Sequence, residues 1–184
     1  MPSFTELVGD SEMLILLPHH EGEPFDSPFG PITRLASYNM CGVAEVKIGI
    51  VDSIDVTYMH DYAPNGAKLA RHIYSVLNMK MERDVRGNVD NGSYFTIIVP
   101  GGRDPSTGSF ERTSSLFPQP VIGRRYAVGY DFYANLGGDD RDWADGTPWY
   151  LVGFSVDEDV NLPSRSKLRG GFDDFCNSLP EIKL

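Results

Sequence analysis

A chain of 184 residues, 41% hydrophobic and 23% charged, can bury one real core and is short for several. Its net charge of -10 excludes the clustered cations that phosphate backbones or anionic membrane surfaces require, so neither nucleic acid nor membrane is expected as a partner. With 19 Gly and 13 Pro, it suits a turn-rich β fold, expected as a single β-rich domain over residues 1–184.

In chain order, residues 13–17 (MLILL) read as a short buried strand, too short for a signal-peptide core and without a basic leader. Residues 18–31 carry Pro18, Pro24, Pro28 and Pro31 and read as an extended loop. Residues 32–40 are expected to be strand. Cys41 and the distant Cys176 do not make a disulfide framework, and two reduced thiols are the simpler expectation. From Val46 the chain alternates: Val46, Ile48 and Ile50 against Lys47 and Gly49, then Ile54, Val56 and Tyr58 against Asp55 and Thr57. Period two predicts a strand pair with one buried and one wet face. Pro64, Asn65 and Gly66 then signal a break, with Asn65 as a helix N-cap. Leu69, Ile73, Val76 and Leu77 recur at helical spacing, opposite Lys68, Arg71, His72 and Ser75, which predicts an amphipathic helix over 66–79.

Asn91-Gly92 predicts a tight turn. Residues 94–99 (YFTIIV) read as a core strand, stopped by Pro100-Gly101-Gly102. The long loop over 103–120 suggests a functional or partner-ordered segment. Residues 125–136, with Tyr126, Val128, Tyr130 and Phe132 on one face, form a hairpin with 149–156 across an acidic loop. Residues 157–184 read as a C-terminal arm with a short helix over 173–178. The expected fold is mainly β: an antiparallel barrel or sandwich with one packed helix.

No motif for nucleophilic catalysis or a phosphate loop is present, so no enzyme activity, catalytic residue or cofactor is expected. His19, His20, Glu21 and His60 are the residues a metal-dependent enzyme would use, but no ligand-pair spacing joins them. Asp140, Asp142 and Asp145 before Gly146 resemble a calcium loop, one residue too long and without its distal Glu. With Trp143 and Trp149, that loop defines an alternative: a binding module for calcium and a sugar. Charge is uneven. Lys68, Arg71, Lys80, Arg83 and Arg86 face only Glu82 and Asp84 over 68–86, whereas the acids Asp139, Asp140, Asp142 and Asp145 crowd the late hairpin. Opposite patches at two ends of a barrel would attract copies head to tail and build rings or filaments. Lys68, Arg71, Arg83, Arg86, the four acids, Phe110, Phe117 and Trp143 are the interface candidates.

The order of features adds a resemblance. MLILL, a Glu21-Gly22-Glu23 loop, Leu35-Ala36-Ser37-Tyr38 before Cys41-Gly42, then Thr57-Tyr58-Met59-His60-Asp61, Pro64-Asn65 and Leu69-Ala70 resemble the first half of the haemolysin-coregulated tube proteins of type VI secretion and of phage tail-tube proteins. The resemblance covers residues 13–77. Gly66-Ala67-Lys68 lengthens the step between Pro-Asn and Leu-Ala, and the second half aligns only as strands. The resemblance implies a ring-forming structural subunit, usually a hexamer, stacked into a tube that meets sheath or tip proteins of a contractile injection system or virion. It implies cytoplasmic assembly followed by release as a particle, and no catalytic residue.

Overall fold

The computed structural model describes residues 22–88, 92–111, 119–132 and 147–181. The strand expected over 13–17 lies outside them. In chain order the elements are β1 (Phe25–Ser27), β2 (Gly30–Ile32), α1 (Arg34–Gly42), β3 (Glu45–Tyr62), β4 (Lys68–Arg86), β5 (Tyr94–Pro100), β6 (Gly102–Arg103), β7 (Phe110–Glu111), β8 (Arg125–Phe132), β9 (Pro148–Ser155) and α2 (Arg165–Ser178). The fold is mainly β, as expected. β3 pairs antiparallel with β4 and β8, β4 with β5, and β8 with β9. β5 and β9 meet in parallel at one residue pair, Ile98 and Trp149. The five long strands thus run first, second, third, fifth, fourth, and back to the first. With one bridge at the seam the barrel is only partly closed, and its faces pack like a sandwich.

The helix expected over 66–79 is not formed; β4 runs straight through it. Leu69, Ile73 and Leu77 are four residues apart, and that spacing stays on one face in a helix and in a strand alike. The burial of Ile73, Ser75, Leu77, Met79 and Met81 follows period two. Ile73, Tyr74 and Val76 favour strand locally, and β3 alongside supplies the ladder. Asn65 caps no helix: its side chain accepts from Ala67 N at 3.0 Å inside the β3–β4 turn, where Gly66 takes φ +85°.

The strand expected over 32–40 is α1. Thr33 caps it, its hydroxyl accepting from Ala36 N at 3.3 Å. Ala36 and Met40 then face inward one turn apart. The loop over 18–31 holds the small β1–β2 hairpin. The tail helix is 14 residues rather than six. Gly170-Gly171 disguises it, because glycine weakens helices. Gly171 has a packing reason: a Cβ there would come within 3.1 Å of Pro28 Cγ.

Two cores result. Val51, Leu77, Met79, Phe95, Ile97, Val99, Tyr126 and Val128 fill the barrel. Phe29, Met40, Val46, Ile48, Val85, Leu168, Phe172 and Phe175 join its outer face to α1 and α2. β3 is therefore buried on both faces, and the Lys47 side expected to be wet is interior. Cys41 and Cys176, expected as reduced thiols, are joined by a disulfide that ties α1 to α2 across 135 residues. Among the described residues no helix is long and apolar enough to cross a membrane.

Phe172 is fully buried, stacked on Phe29 at 5.7 Å and lying under the Arg86 guanidinium. Phe172→Ala should cost about 3–5 kcal/mol, read as a lower midpoint in urea unfolding with an unchanged slope.

Candidate functional site

β3 and β4 are longer than the barrel they build. β8 pairs with β3 only from Glu45 to Ile50, and β5 pairs with β4 only from Tyr74 to Lys80. Among the described residues, the rest of the hairpin, up to Tyr62 and from Lys68, pairs only strand to strand and forms a two-stranded arm. A lone hairpin is marginal in water, so the arm needs a brace.

One edge has it. Gly101 N donates to Ile73 O at 2.9 Å. Ile73 N donates to Glu111 Oε2 at 3.0 Å, so a side chain takes the place of a strand partner. Ser75 Oγ donates to Gly101 O at 2.7 Å. Gly102, at φ +141°, packs so closely that a Cβ would fall 2.5 Å from Ser75 Oγ. Side chains complete the weld. Tyr58 OH donates to Asp104 Oδ1 at 2.8 Å, and Arg71 stacks 4.3 Å above the Tyr58 ring. Asp104 also accepts from Ser106 N at 2.8 Å and Ser106 Oγ at 2.6 Å. His72 lies 3.1 Å from Asp61 and 3.7 Å from Glu111, one ring nitrogen toward each. Part of the loop expected over 103–120 is thus a brace, with β6 and β7 paired.

This cluster is poorly suited to proton transfer. Hydrogen bonds from Ser106 and Tyr58 hold the Asp104 carboxyl well below the usual carboxylate range. The hydrogen bond to Asp104, with burial adding to it, raises the Tyr58 phenol above its ordinary value. General acid–base work wants groups that exchange near the working pH, and both shifts run away from neutrality. Among the described residues no three side chains are placed to hold a metal ion. His60 lies on the arm, while His19, His20 and Glu21 are outside the described residues.

The other edge of the arm is different. Among the described residues, β3 from Ser53 to Tyr62 has a ladder partner only in β4. From Ser53 to Met59 this side of β3 is a sheet edge among the described residues, and Leu69 near the tip is half-exposed.

The interface candidates are dispersed. Lys68 and Arg71 are exposed on the arm. Phe110 is exposed on β7 under Arg103. Arg83 and Arg86 are engaged within the chain. Arg83 donates to Pro163 O at 2.8 Å, and Arg86 donates to Cys41 O at 2.9 Å and Val43 O at 3.0 Å. The basic run therefore splits into an arm tip and a set of internal clamps. Phe117, Asp139, Asp140, Asp142, Trp143 and Asp145 lie outside the described residues. Sequence reasoning missed Tyr58 with Asp104, because their partnership spans 46 residues and a turn.

No known family pattern matches the chain, and no curated protein matches it.

Asp104 tests the weld through pH. Its folded value is depressed, so its contribution is full above the ordinary carboxylate value of 3.8 and is lost as the pH falls below it. Asp104→Asn should melt below wild type at pH 7, and the gap in Tm should narrow as a pH series passes below that value. A gap that stays constant into acid would exclude the weld.

Proposed function

We propose that the chain is a non-enzymatic structural subunit that assembles with copies of itself, and that the arm of β3 and β4 is where copies join. Among the described residues the outer edge of β3 from Ser53 to Met59 pairs with no strand besides β4, and it carries this reading. A row of free N–H and C=O groups is a template for another strand, and proteins blunt such edges unless they use them. The edge is long, and the opposite edge is braced so that the arm holds its shape.

The tail-tube resemblance supplies the form of assembly: rings, usually of six, stacked as the inner tube of a contractile system. The strand-into-helix passage that carried much of the likeness is a continuous hairpin here, so the support now comes from the arm and the β class. The disulfide fits the exported end of that route, since such bonds persist in oxidising surroundings.

A second reading has one observation behind it. The strand order matches the small five-stranded Greek-key barrels that bind oligosaccharides or oligonucleotides. The charge of -10 disfavours nucleic acid and leaves a sugar-binding module.

Light scattering and negative-stain microscopy of the pure protein separate the two. Self-assembly predicts rings or tubes, or at least a concentration-dependent rise in mass. Tyr58 and Ile73 face each other in register, so an Asn-Gly turn can replace residues 59–72. That short-arm variant should keep its fold by circular dichroism and lose the assembly. A wild-type chain that stays monomeric at the highest attainable concentration would overturn the proposal.

A further inference from the structure

At the barrel end of the hairpin, far from its tip, three ionisable side chains meet away from water. Glu45 and Lys47 are two apart on β3 and share a face. Asp84 on β4 stands directly opposite Lys47 in the register. Lys47 Nζ is 2.6 Å from Glu45 Oε2 and 3.3 Å from Asp84 Oδ1. The Lys47 and Asp84 side chains are 0% exposed and Glu45 only 19%. The Tyr130 ring lies 5.7 Å from Nζ. Its phenol is pushed above its ordinary value chiefly by burial, with Glu45 and Asp84 adding to it. Gly87 seals the site: a Cβ there would collide with both the Glu45 carboxylate and the Lys47 ammonium. On the far side of Asp84, Arg165 reaches to 3.4 Å and Arg169 to 3.9 Å of Oδ2.

Burying an ammonium and a carboxylate is costly even when they are paired. A reaction that removes both charges is favoured by the same burial. Fixed proximity of amine and carboxyl replaces a bimolecular encounter.

We propose that Lys47 and Asp84 condense into an intramolecular amide bond, with Glu45 as the proton carrier. Glu45 takes a proton from the Lys47 ammonium. The freed nitrogen lone pair attacks Cγ of Asp84, and the displaced carbonyl electrons settle on Oδ2. Arg165 and Arg169 face that oxygen and stabilise the charge as it develops. Two protons from the nitrogen travel by way of Glu45 to Oδ1, which leaves as water. The balance closes without any other reactant: ammonium plus carboxylate gives one amide and one water. The product locks β3 to β4 within the barrel, at the end of the hairpin away from the arm, and it stands whether or not the chain self-assembles.

Intact-mass spectrometry of the full chain, denatured and reduced, tests this directly. The expected mass is one water below that of the sequence. Proteolysis should yield a branched species joining the peptides of Lys47 and Asp84. Glu45→Gln and Asp84→Ala should restore the full mass, with Glu45→Gln keeping the wild-type circular dichroism spectrum. A wild-type chain at full mass would overturn the proposal whatever the variants do. So would a missing water that maps elsewhere, such as a succinimide at Asp145-Gly146. A Glu45→Gln chain that still lacks the water would remove Glu45 from the reaction.

Discussion

The pairing of β3 with β4 is the constraint on which the rest depends. Its two strands, 18 and 19 residues long, enter both cores and then leave them to form the arm. A one-residue slip would exchange the faces of the whole ladder. It would turn Val46 and Ile48 away from the helices and push Lys47 and Asp84 toward them. The register is therefore held by apolar burial on one side and by a charge cluster on the other. The bulges along it let the strands bend around the barrel while keeping this pairing.

The helices complete what the sheet leaves open. Gly129 on β8 admits α1, because a Cβ there would crowd Met40, Val43 and Val152. The aromatic stack of Phe154, Phe29 and Phe172 runs from β9 to α2. Arg83, Arg86 and Arg125 bind backbone carbonyls of the connecting segments, where water would otherwise be needed. Arg125 also lies 2.8 Å from Glu82, so it clamps a loop and an acid at once. These cations look like surface charge in the sequence and act as internal struts.

The arm joins structure to the proposed role. A brace welded to one edge by Tyr58, Asp104 and Glu111 leaves, among the described residues, the edge from Ser53 to Met59 for the proposed pairing. Rigid presentation lowers the ordering cost when a second strand arrives. The acidic loop between β8 and β9 belongs to the same molecule but to residues outside those described. The arm alone therefore carries the docking argument.

Much of the β class was readable from the chain itself. Alternation marked β8 and the stretch of β3, read as a strand pair where one continuous strand runs, and an apolar run marked β5, because period two is a local property of side-chain direction. The strand β4 was misread because four-residue spacing satisfies two geometries, and only the neighbouring β3 decides between them. The helix α1 was missed because its evidence is a cap at Thr33 and a packing partner rather than a stripe, and Gly170-Gly171 hid the length of α2. The disulfide, the interior setting of Lys47 and the bond between Tyr58 and Asp104 were out of reach, since each joins residues distant in the chain. Hydrophobic patterning specifies strands one at a time; which strands meet, and which charges they enclose, is settled only when the sheet curls into a barrel and the helices close over it.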